Sequence, residues 1–145
     1  MDILSEINKA WNWTGIKAVE ILAVNHFGNV LFIDSNSNYY RLILEDLALN
    51  QIAKTQQEFD KLKKDQDFKE DWEVNSWVNA AQAAFGKLDQ DQKYCFKIPP
   101  VLGGEYSLEN MGIKSFKESI AFSGDIAFQI KDIPDGQEIK LEIKN

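Results

Sequence analysis

The feature that most constrains this chain is a set of strand-like runs joined by connections too short to hold a helix. VEILAVN (Val19–Asn25), NVLFID (Asn29–Asp34) and NYYRLI (Asn38–Ile43) are rich in β-branched, aromatic and aliphatic residues. Between them lie only HFGN (His26–Asn29) and SNSN (Ser35–Asn38), whose Gly, Asn and Ser residues suit tight turns. A parallel pair needs a crossover of about a dozen residues or more, so connections this short impose an antiparallel meander. NVLFID is apolar on both faces and is expected at the centre of the sheet.

Helical periodicity flanks this sheet. Ile3, Leu4, Ile7 and Trp11 recur at helical spacing, and Gly15 after Trp11-Asn12-Trp13-Thr14 is expected to stop the chain in a left-handed conformation. After Leu44 the pattern turns helical. Thr55 to Lys64 carries Phe59 and Leu62, and Asp67 with Glu70 has the spacing of a capping box opening a longer helix. In that helix Val74, Trp77, Val78, Ala81 and Phe85 share one face while Phe68 and Trp72 point elsewhere, which calls for a bend near Glu73 or burial on two sides. Gly86 closes it. KYCFKI (Lys93–Ile98) alternates, with Tyr94, Phe96 and Ile98 inward. Ser115 and Glu118 cap a helix reaching about Ile133, its inner face formed by Phe116, Ile120, Ser123, Ala127 and Ile130. Pro134, Asp135 and Gly136 make a turn before a last strand with Ile139, Leu141 and Ile143 inward. The expectation is an α+β fold: a single domain over residues 1–145, mostly antiparallel sheet packed against several helices.

Charge and composition exclude several function classes. The chain has 145 residues, of which 44% are hydrophobic and 12% aromatic, enough for one packed core without covalent staples. Its 23 acids against 16 bases give a net charge of −7, and Arg41 is the single arginine. Direct nucleic-acid binding rests on clustered Lys and Arg and is not expected. One cysteine, Cys95, permits no internal disulfide. MDILSEINKAW carries acids where a secretory signal has bases, and no apolar window approaches the roughly 20 residues that span a bilayer. A soluble, cytoplasmic protein is expected.

Residues with chemical potential are few. One His and one Cys leave no room for a zinc site of the His/Cys kind, and no metal or cofactor site is expected. A Cys95–His26 pair is formally possible, but a thiol among strand aromatics is expected to be buried and inert, and His26 falls in a turn. IPPVLGGEY (Ile98–Tyr106) sets Glu105 beside Gly103 and Gly104, where a rigid loop could hold a catalytic carboxylate. An acid in such a position more often serves the turn itself. Pro99 and Pro100 are expected to end the strand, and both glycines to take angles that a side chain forbids. Tyr106 is expected to fold back onto the core with its hydroxyl at the rim, so the segment is a structural corner and no residue is assigned a catalytic role. From Glu45 to Glu73 nine acids face five lysines. A solvated helical surface accounts for this run, and so does an electronegative patch for a basic partner.

Several of these strings occur together in order: WNWTG, HFGNVLFID, NYYRLILEDL, the Phe68–Trp72–Trp77 helix, KYCFKIPPVLGGEYSLENM, FSGDIAFQI and the terminal IPDG. Together they resemble the immunity proteins of bacterial type VI secretion systems that neutralise DNase toxins. Longer members carry a GAD-like module followed by a small domain. By this resemblance residues 1–54 correspond to the GAD-like part and 55–145 to the C-terminal immunity module. The resemblance implies no catalytic activity, no cofactor, and a cognate effector toxin, a nuclease, as a tight partner in the cytoplasm. The alternative is a non-catalytic interaction scaffold of the SMI/KNR type binding another partner; a hydrolase using Glu105 is a third reading. Charge complementarity, not the resemblance, selects Glu45, Asp46, Asp60, Asp67, Glu70 and Asp71 as toxin contacts.

Overall fold

The meander forms as its connections require. In the computed structural model, which describes residues 2–133, β1 (Ala18–Val24), β2 (Val30–Asp34), β3 (Tyr39–Ile43) and β4 (Ala48–Ala53) build one antiparallel sheet in the order β1-β2-β3-β4. Strand β2 lies inside the sheet, and four of its five residues are buried. The first turn is closed by Asn25 N–H donating to the Asn29 carbonyl at 3.0 Å, with Gly28 at φ 75°. The second is gathered by the Asp34 carboxylate, which accepts from the backbone N–H groups of Asn36 and Asn38 at 2.9 Å each. The turn expected at Pro134, Asp135 and Gly136 and the closing strand lie outside the described residues.

Strand β4 corrects the expectation that the chain becomes helical after Leu44. Its sequence ALNQIA has little β propensity, but β3 offers an unpaired row of backbone groups, and Leu47 at φ 51° turns the chain back alongside it. Pairing overrides a weak local preference.

Helix α1 (Ile3–Trp11) is capped by Asp2 and buries Ile7 and Trp11; Gly15 follows in the expected left-handed conformation at φ 82°. Thr55 caps α2 (Gln56–Lys63). The cap of α3 (Gln66–Glu73) is Asp65, which accepts from Phe68 N–H, and not Asp67, which lies in the first turn. Helix α4 (Asn75–Phe85) follows, closed by Gly86. Between them Val74 takes φ 46° and ψ 43°, a left-handed conformation that costs a β-branched residue on the order of 1–2 kcal/mol. The break is the bend that the two apolar faces called for. It lets Phe68 and Trp72 pack beside Leu31, Tyr39, Ala53 and Phe59, while Trp77, Val78 and Ala81 join a different core with Phe27, Tyr94, Phe96 and Met111.

That second core rests on a two-stranded sheet of β5 (Gln92–Phe96) and β6 (Met111–Ser115). Tyr94 and Phe96 are buried as expected, but Ile98 is 56% exposed because the strand ends two residues earlier. Phe85, expected inward, is 38% exposed at the end of α4. Ser115 caps α5 (Phe116–Ile130) by accepting from Glu118 N–H at 3.1 Å. The helix stops three residues short of the expected Ile133. Its inner face joins Ile7, Trp11, Phe32 and Leu42 in the largest core. Contact with α1 is close enough that a Cβ on Gly124 would lie 2.3 Å from the Ala10 carbonyl oxygen. The last helix thus completes the core of the first sheet.

Candidate functional site

The single arginine is buried. Arg41 points from β3 toward α2 and α3, only 7% exposed, where a charge is tolerated only with partners. Its guanidinium donates to Asp71 Oδ2 at 2.5 Å and to Asn29 Oδ1 at 3.2 Å, and lies 5.3 Å from the Trp72 ring centroid. Asn29, fully buried in the first turn, passes the connection on: its amide donates to Glu45 Oε2 at 2.7 Å. Asn25, at the other end of the same turn, accepts from the N–H groups of Phe27 and Asn29 and donates to the Trp72 carbonyl. A continuous hydrogen-bonded chain therefore runs from α3 through β3 and the first turn to the β3–β4 turn.

This network sorts the six acids selected from the sequence. Glu45, Asp46 and Asp71 gather around Arg41. Burial pushes the Glu45 carboxyl above its ordinary range against the opposing hydrogen bond from Asn29. Burial likewise raises Asp46, opposed by Arg41 and reinforced by Asp71. The other three stand apart on the helices. Asp60 is 3.4 Å from Lys63 one turn away, Glu70 accepts from Gln66, and Asp67 is exposed. The outer side of α3 is strongly acidic: Asp65, Asp67, Glu70, Asp71 and Glu73 accompany one lysine, Lys69.

Next to this network lies the IPPVLGGEY segment. Pro99 is buried, and Pro100 opens a short 3-10 turn through Leu102. Gly103 takes φ 96°, as expected of a position that excludes side chains. Gly104 does not have a positive φ; a glycine is needed there because a Cβ would sit 1.8 Å from the Ile98 carbonyl oxygen. Asn110 closes the segment. Its side chain accepts from Ile98 N–H at 2.9 Å and donates to the carbonyls of Ile98 and Glu105 at 2.8 and 2.9 Å. The corner is therefore real. Tyr106 departs from expectation: its ring touches Phe96 and Trp77, with centroids 5.3 and 6.2 Å away, yet the residue remains 57% exposed.

Catalytic groups do not converge. The Glu105 carboxylate lies on the exposed outside of the loop, and what the residue contributes inward is its backbone carbonyl. Cys95 is half-buried and burial pushes its thiol up, away from the reactive thiolate, while the His26 side chain is exposed. A small cavity of about 30 Å³ is bounded by Glu45, Cys95, Pro99, Lys114 and Ser119, room for little more than a water molecule. A larger cleft of about 560 Å³ is walled mainly by Trp11, Trp13, Tyr40, Leu49 and Ile130, with Lys131 its single titratable side chain apart from Tyr40. Among the described residues no cluster of three or more His, Cys, Asp or Glu could hold a metal ion, and no helix is long and apolar enough to cross a membrane.

Fold and site together define an acidic α+β protein whose buried charge joins its own parts and whose remaining acids line the surface. The family model described as T6SS immunity protein Tdi1, C-terminal, matches residues 53–127, half of the chain. The chain belongs to this family of type VI secretion immunity proteins. The matched span runs from the last residue of β4 into α5 and contains both Asp71 and the whole Asn110-braced loop. No match was found among curated proteins.

Asn25, Asn29 and Asn110 were not singled out from the sequence, although they do the most to place the site. A signal existed for two of them, since asparagines bracket the first turn; a lone arginine inside an otherwise apolar strand was a second signal.

Proposed function

We propose that this protein is the immunity partner of a type VI secretion effector with DNase activity, and silences it in the cytoplasm by occupying the basic surface that would hold DNA. Family membership carries this reading, because immunity proteins of such systems bind a cognate effector. The acidic outer side of α3 and the carboxylates beside Arg41 support the choice of a basic, nucleic-acid-binding partner. Action is by binding, not by catalysis. The candidate contacts are Glu45, Asp46, Asp60, Asp67, Glu70 and Asp71; Asp46 and the α3 acids are the more accessible, and Glu45 contributes mainly through the field it adds. A single domain over residues 1–145, with a GAD-like first part to residue 54, belongs to the same reading; the core shared by α1, the first sheet and α5 supports it.

The test is co-expression with the neighbouring effector gene, which should give protection from killing and a recoverable complex. Reversing Asp60, Asp67 and Glu70 to lysine avoids the Arg41 network. It should slow association by on the order of tenfold or more at low ionic strength and flatten the salt dependence. An association rate unchanged at low salt would sink electrostatic occlusion while leaving immunity intact.

A further inference from the structure

The loop that looked like a structural corner has a surface that a corner does not need. Pro99 is buried and Leu102 packs against the main core, so the loop is anchored from inside. Its outward residues are apolar: Ile98, Val101, Tyr106 and Leu108 are 56, 55, 57 and 42% exposed. They make up half of the large hydrophobic residues exposed among the described residues, all within one loop whose ends are joined by Lys97 N–H donating to the Asn110 carbonyl. Single exposed apolar residues need no explanation, but a concentrated and preorganised set marks an interaction surface.

From this arrangement we infer that the Ile98–Leu108 loop is the apolar centre of the effector-binding surface, with Tyr106 as its anchor. The inference rests on the immunity reading above and deepens it. The Asn110 bridge and the two glycines hold the loop in one shape, so little conformational entropy is lost on docking. Tyr106 stands on Trp77 and Phe96 with more than half its surface free, which suits a rigid aromatic entering a partner's slot. The rim is acidic. Glu105 and Glu109 flank the ring on the loop, and Asp46 and Glu45 lie close enough to act electrostatically on its hydroxyl; Lys97 is the cation nearby on the same strand end. The loop is continuous with the Arg41 network, since Pro99 and Glu45 share a wall of the small cavity. The matching partner is a positively charged protein surface with an apolar slot, which a nuclease provides beside its DNA groove. An apolar centre inside a charged rim is the usual anatomy of a specific interface.

The experiment uses the full chain and the catalytically disabled nuclease domain of its effector, with binding measured by calorimetry. Val101→Asp, on a side chain that is half exposed, should weaken binding at least ~30-fold with the melting temperature unchanged, and Tyr106→Ala should do the same. Unchanged affinity in Val101→Asp overturns the inference, whatever Tyr106→Ala does. If the wild-type chain binds and only the α3 charge reversal weakens it, the loop loses its role and the immunity reading stands. If the wild-type chain does not bind at all, both fall. A wild-type dimer in sedimentation that Val101→Asp dissociates, with effector affinity intact, would reassign the patch to self-association and overturn the inference.

Discussion

The Arg41 network and the Ile98–Leu108 loop break the usual sorting of side chains in opposite directions. One takes the chain's single arginine inside, at 7% exposure, and surrounds it with an asparagine and carboxylates. The other turns four apolar residues outward on a frame of backbone hydrogen bonds. Both are costly locally, since a buried charge loses hydration and an exposed apolar group gains nothing from burial. What separates them is whether the cost is offset within the molecule. Arg41 has its partners here, and by linking α3, β3 and the first turn it acts as an internal joint. The loop has only half of its partners, the buried half, and its outer residues await a second protein.

The largest expected effect breaks the joint. Arg41→Ala leaves Asn29 and Asp71 without their cation and opens space beside Trp72, so a loss of about 3–5 kcal/mol is expected in thermal or urea unfolding. Arg41→Lys should recover only part of it, because an ammonium lacks the fork that reaches Asn29 and Asp71 together. A loss below 1 kcal/mol in Arg41→Ala would mean that the network is decorative.

Next, Gly104→Ala forces a Cβ against the Ile98 carbonyl and must displace the loop. It should cost about 1–3 kcal/mol, and its effect on effector binding should exceed its effect on stability. Asn110→Ala removes three hydrogen bonds at the partly exposed neck of the same loop and should cost about 1 kcal/mol. Hydrogen exchange should then quicken across residues 98–108 while β2 and β3 stay protected. Uniform quickening throughout the chain would show that loop and joint are one cooperative unit, and the contrast between them would disappear.

The smallest effect is a pH slope. Glu45 and Asp46 have folded pKa values raised above the ordinary 4.5 and 3.8, chiefly by burial. The folded chain therefore holds these protons to higher pH than the unfolded chain does. Their contribution is fully present below the unfolded values and is lost as pH rises through the folded ones. Glu45→Gln keeps an acceptor for Asn29 but removes the charge, so its melting temperature should gain on wild type as pH rises from 4 to 7. A constant difference across that range would sink this account of Glu45. Asp2, whose pKa is lowered by its bonds to Ser5, works in the opposite sense and loses its contribution as pH falls.

Much of the architecture was legible because it depends on near neighbours. Turn length selected the antiparallel meander, helical spacing located α1, α2 and α5, and the clash between two apolar faces demanded the break that Val74 supplies. Strands β4 and β6 were missed because ALNQIA and MGIKS carry little local preference and become strands through pairing with β3 and β5. The acidic surface of α3 could be read from charge alone. That Glu45 is tied to Asn29 could not, since the two are brought together by the return of the chain beside β3.

For IPPVLGGEY, the sequence by itself determined a rigid corner, since prolines and glycines restrict or extend backbone angles wherever they stand. Only the tertiary structure decided which of its side chains face outward. The orientation depends on where β5 ends, on what Asn110 reaches, and on the aromatic platform of Phe96 and Trp77 beneath Tyr106. Local chemistry sets the shape of a segment; exposure is set by what the rest of the chain packs against it.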